Sequence, residues 1–369
     1  MKVLTILGTR PEIIRLSATI RKLDSYFDHT LIHTDQNYDY ELNQLFFDDL
    51  GLRKPDIFLN SKSKNPIETI SKILNQIDRV LEKYKPDAVV VLGDTNSAIS
   101  VYAAKRKKIP IFHIEAGNRC FNQNVPEEIN RKIVDHISDV NITYSTFARE
   151  NLLREGLDPE MSIFLGSPMM EVISDSKPLY KKSKILNTLG LKKENYILFS
   201  THREENVDST KKFKEIIKTI KALKDKFNKK IVMGVHPRIK KKIEAENFDK
   251  NFIMCPPFAY SDYLKLQSNA FCVVSDSGTI TEESSIMGFP AVNFREQNER
   301  QEGYTEGAII MSGIEVKDVI QSVKLAIQTS KQKNRNIVEG YNVENFSDKF
   351  IKLIISMINQ VKRKVWKKY

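Results

Sequence analysis

Hydrophobic positions along this chain alternate between two patterns. Short β-branched and apolar runs are separated by stretches whose apolar residues recur at helical spacing. In the first half the runs predict strands at VLTIL (3–7), HTLIHT (29–34), AVVVLG (88–93), IFHIE (111–115) and VNITY (140–144). In the second they predict YILFS (196–200), IVMGV (231–235), FIMCP (252–256), FCVVSD (271–276) and AVNF (291–294). Strand, loop and helix in constant succession are the signature of a parallel sheet wrapped by helices. The expected fold is therefore α/β, with two Rossmann-like doubly wound domains facing a cleft. SPMMEVISDSKPLYKKSK (167–184), with its prolines, serines and lysines, reads as the connector. This sets domain one at 1–166, a linker at 167–190 and domain two at 191–369. The ending ENFSDKFIKLIISMINQVKRKVWKKY predicts one amphipathic helix, about 345–366, with a basic end.

Length agrees with two cores. A chain of 369 residues exceeds what one core comfortably holds and suggests domains of about 150 to 190 residues. No apolar run approaches the roughly 18 residues a bilayer span needs, so no membrane insertion is expected. MKVLTILGTRPE lacks a small-residue cleavage site and reads as a first strand rather than a signal peptide. Cys120, Cys255 and Cys272 lie far apart without a CxxC pair, which suggests neither a disulfide framework nor a zinc ribbon. A cytoplasmic protein is expected. The net charge of +11 raises nucleic acid as a partner. Yet the lysines and arginines are scattered in short runs of the kind found on solvated helix faces, and no nucleic-acid partner is expected. A basic surface would equally attract a small anionic substrate.

Ligands of open α/β sheets sit beyond the carboxyl ends of the strands, and several strand ends here carry unusual polar residues. In LGTRPEIIR (7–15), Pro11 suits the first helical position, and the helix-start N–H groups with Arg10 and Arg15 suit a phosphate. LGDTNS (92–97) and HIEAGNR (113–119) each deliver a carboxylate beside a glycine, Asp94 and Glu115. Asp94 fits a helix cap as well, whereas Glu is a poor cap and Glu115 ends an apolar strand. His113-Ile114-Glu115 matches the HxE of zinc deaminases, but no PCxxC partner exists, so no metal is expected there. VPEEINRKIVDH (125–136) opens a helix in which Glu127 and Arg131 share a face, as a surface ion pair or as part of the same site. Three carboxylates converging would repel one another and split their pKa values, giving an acid and a base together. In the second half, Ser277, Gly278 and Thr279 of SDSGTITEESS (275–285) offer N–H groups and hydroxyls to a diphosphate, and Glu283 could accept from two sugar hydroxyls. THREEN (201–206) places His202 and Arg203 after a strand, and His236 follows the next. No GxGxxG or GxxxxGK[ST] is present.

GTRPE, GDT, EAG, PEExNR, an HRxEN-like loop and DSGxxxEE, in that order over essentially the whole chain, resemble the non-hydrolysing UDP-N-acetylglucosamine 2-epimerase family. QNYDYELNQLFFDDLG (36–51), EAGNRCFNQNVPEEINRKIVDH (115–136), THREENVD (201–208), SDSGTITEESSIMGFPA (275–291) and KRKVWKKY (362–369) are similar to bacterial UDP-N-acetyl-L-fucosamine synthases. The resemblance implies a glycosyltransferase-B type fold, a homodimer, a C-terminal helix returning to domain one, and no cofactor. It implies C2 epimerisation of UDP-2-acetamido-2,6-dideoxy-L-talose, by elimination of UDP to a 2-acetamidoglycal and re-addition, for bacterial capsule or O-antigen synthesis. Asp94, Glu115, Glu127 and His202 match the family's catalytic positions. Arg10, Arg15, Arg131, His236, Ser277, Gly278, Thr279, Glu283 and Arg300 match or adjoin positions that hold the UDP-sugar. Arg15 replaces the family's common lysine, Gln36 to Tyr40 depart from its regulatory stretch, and Asn298-Glu299-Arg300-Gln301 replaces its threonine-glutamate-arginine-proline. UDP-N-acetylglucosamine epimerisation and glycosyl transfer remain alternatives that these residues leave open.

Overall fold

Both series of apolar runs form parallel sheets. The computed structural model describes residues 1–34, 40–201, 210–235, 242–243, 245–246, 248–330 and 336–367. It divides into two units, Met1–Asp175 with Glu339–Tyr369, and Ser176–Val338. Among the described residues, the first unit holds β1 (Lys2–Leu7), β2 (Asp28–His33), β3 (Ile57–Phe58), β4 (Ala88–Leu92), β5 (Ile111–Ile114), β6 (Val140–Thr143) and β7 (Ser162–Phe164). Their order across the sheet is β3-β2-β1-β4-β5-β6-β7, and every pairing is parallel. The second unit holds β8 (Tyr196–Ser200), β9 (Lys230–Gly234), β10 (Phe252–Cys255), β11 (Cys272–Ser275), β12 (Ala291–Asn293) and β13 (Ile310–Met311). Its order is β10-β9-β8-β11-β12-β13, again all parallel.

The ten runs read from the sequence are all strands. β3, β7 and β13 were not legible, because two or three residues at a sheet edge carry no pattern of their own. The interior strands read as continuous apolar runs because helices cover both faces. In the second unit alternate residues feed separate cores. Ile197, Phe199, Cys272 and Val274 enter one, and Tyr196, Leu198 and Val273 enter the other.

The stretch read as a connector is mostly helical, Met169–Lys182 followed by Ile185–Thr188, and the two units divide within the longer helix. Met169, Val172 and Ile173 are buried on one side of it, an amphipathic spacing that the surrounding serines, lysines and prolines obscure. The final helix, Phe346–Lys364, packs within the first unit. Its apolar face includes Phe346, Phe350, Ile354, Ile358 and Val361, and the Phe350 ring meets Phe112 of β5 with centroids 6.2 Å apart. Lys22–Asp348 at 2.7 Å and Lys364–Asp158 at 2.6 Å flank the helix. The chain reaches it through Gly340 (φ +84°), where a Cβ would lie 2.1 Å from the Tyr144 carbonyl oxygen. Only glycine permits that approach. No helix among the described residues is long and apolar enough to cross a membrane.

Candidate active site

In the first sheet the strand order reverses between β1 and β4. Loops leaving neighbouring strands there diverge and open a crevice at the carboxyl ends. The loop after β1 supplies Arg10 and Arg15 on the helix Arg10–Tyr26, and the loop after β4 supplies Asp94. Glu115 follows β5, and the helix Pro126–Ile137 carries Glu127 and Arg131. The fold thus gathers these residues at the carboxyl edge of one sheet.

Glu115 has φ +71°, a left-handed conformation that strains a side chain larger than glycine and persists only where surrounding contacts enforce it. Its Oε2 forms a buried ion pair with Arg15 Nη1, the side chains being 9% and 6% exposed. The Asn118 amide lies 3.4 Å from Oε1. Behind the loop, the Gly117 N–H donates to Asp135 at 3.2 Å, and a Cβ on Gly117 (φ +82°) would lie 2.2 Å from the Ala148 carbonyl oxygen. Asp135 also accepts from Arg119 at 2.7 Å, and Arg119 forks onto Glu155 at 2.8 and 2.7 Å. Burial alone would lower the Arg119 pKa, but Glu155 and Asp135 outweigh it and hold the guanidinium charged. The Arg119 hydrogen bond pushes Glu155 down to about 2. His113 lies with Nε2 2.9 Å from the Gly93 carbonyl oxygen and Nδ1 2.9 Å from Asp135. The histidine of the HxE pattern therefore braces the two carboxylate loops.

Asp94 is held by Arg131, whose Nε and Nη2 approach its Oδ2 at 2.8 and 2.7 Å. Arg131 Nη1 reaches Glu128 Oε2 at 2.8 Å. Arg131 is thus a fork between two acids. Glu128, which sequence reading passed over for Glu127, is fully buried and also accepts from the Cys120 and Phe121 amides at 3.1 and 3.0 Å. Burial would raise its pKa, but the Cys120 amide and Arg131 hold it below the usual carboxylate value. Glu127 is half-buried, one turn before Arg131 on the same face. The expected repulsion between acids is replaced, for Asp94 and Glu115, by ion pairing with arginines. Arg10 is half-buried, with its guanidinium 5.8 Å from the Phe46 ring centroid.

Glu12, within the GTRPE stretch, is a residue that the strand-end pattern does not mark. Its side chain is buried and accepts from the Gly8 N–H at 3.1 Å, the Thr9 hydroxyl at 2.7 Å and the Thr95 hydroxyl at 3.2 Å. Thr9 and Glu12 are spaced as a capping box, the signal that could have found it. Burial pushes its pKa from 4.5 up to about 7, and hydrogen bonds from Thr9, Gly8 and Thr95 pull back only part of the rise. Between those values the folded state binds the proton that the unfolded state has lost, so this group's contribution to stability falls as pH rises from about 4.5 to about 7. Relative to Glu12→Gln, the wild type should lose about 3 kcal/mol between pH 4 and pH 8. Urea unfolding of both proteins across that range measures it, and a pH-independent difference would show that Glu12 does not titrate there.

The second sheet reverses between β8 and β11. Thr201 after β8 donates to Asp276 after β11 at 2.9 Å, bridging that switch point. The next residues form the Ser277-Gly278-Thr279 turn, with the two hydroxyls 3.0 Å apart, at the start of the helix Ile280–Met287. Glu283 is buried one turn in and accepts from Gln267 at 2.6 Å. Arg300 is fully buried, its Nη1 3.3 Å from Glu282, and the neighbouring Glu299 pairs with Arg295 at 2.7 Å. The structure thus gathers Ser277, Gly278, Thr279 and Glu283 on one turn and helix start. It adds Asp276, Gln267 and Glu282, which the sequence did not single out. His202, His236 and Gln36 to Asp39 lie outside the described residues. Among the described residues, no group of three His, Cys, Asp or Glu side chains is arranged to hold a metal ion.

Fold and loops define the class first: an α/β protein of the glycosyltransferase-B type, two Rossmann-like units, each with polar side chains gathered at its switch point. A family model described as UDP-N-acetylglucosamine 2-epimerase matches residues 21–355. The chain is 46% identical to the solved UDP-N-acetylglucosamine 2-epimerase of Rickettsia bellii, covering 100% of both chains with a TM-score of 0.92. The Methanocaldococcus jannaschii UDP-GlcNAc 2-epimerase, solved in complex with UDP-GlcNAc and UDP, is 33% identical over 96% of this chain and 100% of its own, with a TM-score of 0.89. The UDP-2,3-diacetamido-2,3-dideoxy-D-glucuronate 2-epimerase of Pseudomonas aeruginosa is 30% identical, covering 92% of this chain and 96% of that protein. The chain belongs to the UDP-N-acetylglucosamine 2-epimerase family. Its enzyme class is that of the UDP-sugar 2-epimerases, which are isomerases.

Proposed function

We propose that this enzyme inverts C2 of a UDP-2-acetamido sugar by eliminating and re-adding UDP. The observation that carries the reading is the pair of carboxylates at adjacent strand ends of the first sheet, Asp94 and Glu115, each fixed by an arginine. A carboxylate removes the C2 proton, the C1–O bond to UDP breaks, and a C1–C2 double bond forms, giving the 2-acetamidoglycal. A proton then returns to C2 from the opposite face, and UDP adds back at C1. Asp94, Glu115 and Glu127, with His202, are the groups we assign to these transfers. A carboxylate is a weak base in water. Removal of water by the bound substrate strengthens such groups and favours proton transfer.

The nucleotide is assigned to the second unit. The Ser277-Gly278-Thr279 turn offers backbone N–H groups and hydroxyls at a helix start, a suitable seat for a diphosphate. Glu283 and Arg300 complete the assignment, and Arg10, Arg15, Arg131 and His236 are assigned to the sugar-phosphate group. Ser277→Ala, which removes one hydroxyl, should weaken UDP binding by about 1 kcal/mol, or roughly fivefold, with little change in turnover at saturation. Calorimetric titration with UDP reads this directly.

As substrate we propose UDP-2-acetamido-2,6-dideoxy-L-talose, giving UDP-N-acetyl-L-fucosamine, on the stretches at 36–51, 115–136 and 275–291 that resemble such synthases. The second reading is UDP-N-acetylglucosamine, favoured by the names of the relatives at 46% and 33% identity. Incubation with each UDP-sugar in D₂O, followed by NMR at C2, tests reaction and substrate together. Deuterium at C2 with a new epimer supports the reaction, and the sugar that exchanges identifies the substrate. Transfer to an acceptor with the C2 hydrogen retained would replace epimerisation by glycosyl transfer.

A further inference from the structure

We propose that Glu12 is a positioning residue for the epimerisation, tying the loop after β1 to the loop after β4 across the switch point of the first sheet. Its Oε2 gathers the Gly8 N–H and the Thr9 hydroxyl, at 3.1 and 2.7 Å, and its Oε1 takes the Thr95 hydroxyl at 3.2 Å. The carboxylate therefore reaches from its own helix start to a residue 83 positions along the chain. On one side it sets the start of the helix that presents Arg10 and Arg15. On the other it fixes the residue next to Asp94.

An ordinary capping glutamate bonds backbone groups of its own helix and stays near the surface. Glu12 keeps a backbone bond of that kind, from the Gly8 N–H, but it is 1% exposed and is bonded to a second loop as well. An ionisable group in that place costs stability at neutral pH, as its raised pKa indicates, whereas a smaller or neutral residue would carry no such cost. Groups retained against stability are characteristic of sites where geometry matters for chemistry. The arrangement also has a counterpart in the second unit. Thr201 and Asp276 join the two loops at that switch point through the same threonine-to-carboxylate bond, at 2.9 Å.

Asp94 is consequently fixed from two directions. Arg131 holds its carboxylate and the Asn130 amide its backbone carbonyl, at 2.8 Å. The Glu12–Thr95 bond holds the following residue. Releasing that bond lets the Asp94 loop shift against Arg15 and Glu115 without removing any group that touches the substrate.

The inference rests on the epimerase reading, so its test has one arm in turnover and one that is independent of it. Glu12→Ala should lower kcat by about 10²-fold, the cost of a displacement near 1 Å, with KM changed less than about threefold. Thr95→Val, which keeps the shape and removes the hydroxyl, should lower kcat by about 10-fold, again with little effect on KM. The double variant should be no slower than Glu12→Ala, because both remove the same link. Glu12→Gln can still accept on the Gly8 side and donate to Thr95, so it should recover most of the loss. The turnover-independent arm is hydrogen exchange at the Gly8 amide. Exchange should be at least about tenfold faster in Glu12→Ala than in wild type or Glu12→Gln. Additive losses in the double variant, an effect confined to KM, or Glu12→Gln as slow as Glu12→Ala would each overturn the positioning role. Unchanged Gly8 exchange in Glu12→Ala would overturn the tie itself, whatever the sugar.

Discussion

Glu115→Gln is expected to lower turnover by roughly 10²- to 10⁴-fold, with UDP binding largely retained. The amide preserves the volume and the backbone of the loop, so the variant isolates the charge and the proton-carrying capacity of the group. Two features give this substitution its large effect. Glu115 sits in a left-handed conformation, braced from behind by Gly117, Asp135, Arg119 and His113, and its carboxylate meets Arg15. A group aimed at such cost is positioned for work rather than for packing. Steady-state kinetics and UDP titration on the folded variant decide the matter. Turnover near wild type would remove Glu115 from the chemistry, and loss of UDP binding in step with turnover would make it a structural residue instead.

Arg131→Met should damage stability and activity together. Arg131 is 5% exposed and pairs with Asp94 and Glu128 together. Truncating one partner of a buried ion pair strands the others and costs about 3–5 kcal/mol. Because Glu128 also holds the Cys120 and Phe121 amides, the loop that follows Glu115 should loosen with it, and turnover should fall by more than about 10²-fold. Arg131→Lys keeps the charge but cannot reproduce a fork between two carboxylates, so it should fall between. Urea unfolding and kinetics on both variants provide the readout. Wild-type stability in Arg131→Met would show that the fork does not hold the loop.

The fold was legible because interior strands of a doubly covered parallel sheet must be apolar throughout, and the helices between them must be apolar on one side. Loops at strand ends announced themselves by glycine, proline and isolated acids, which is why Asp94, Glu115 and the Ser277–Thr279 turn stand out in the sequence. The short edge strands β3, β7 and β13 and the helix at 169–182 were hidden, the first by brevity and the second by its polar composition. Glu128 was hidden for a different reason. In a pair of adjacent glutamates, composition cannot say which one faces inward. Helix rotation decides it, and the packing of Arg131 against Asp94 sets that rotation.

Sequence by itself determined ten of the strands and their succession with helices, the two-sheet class, and the residues available at those strand ends, since these follow from interactions between near neighbours. Tertiary structure alone decided the partners: Arg15 with Glu115, one hundred positions apart, Arg131 with Asp94, and Glu12 with Thr95. Charge pairing acts through space, and distant segments become neighbours only once the sheet order has been set by burial.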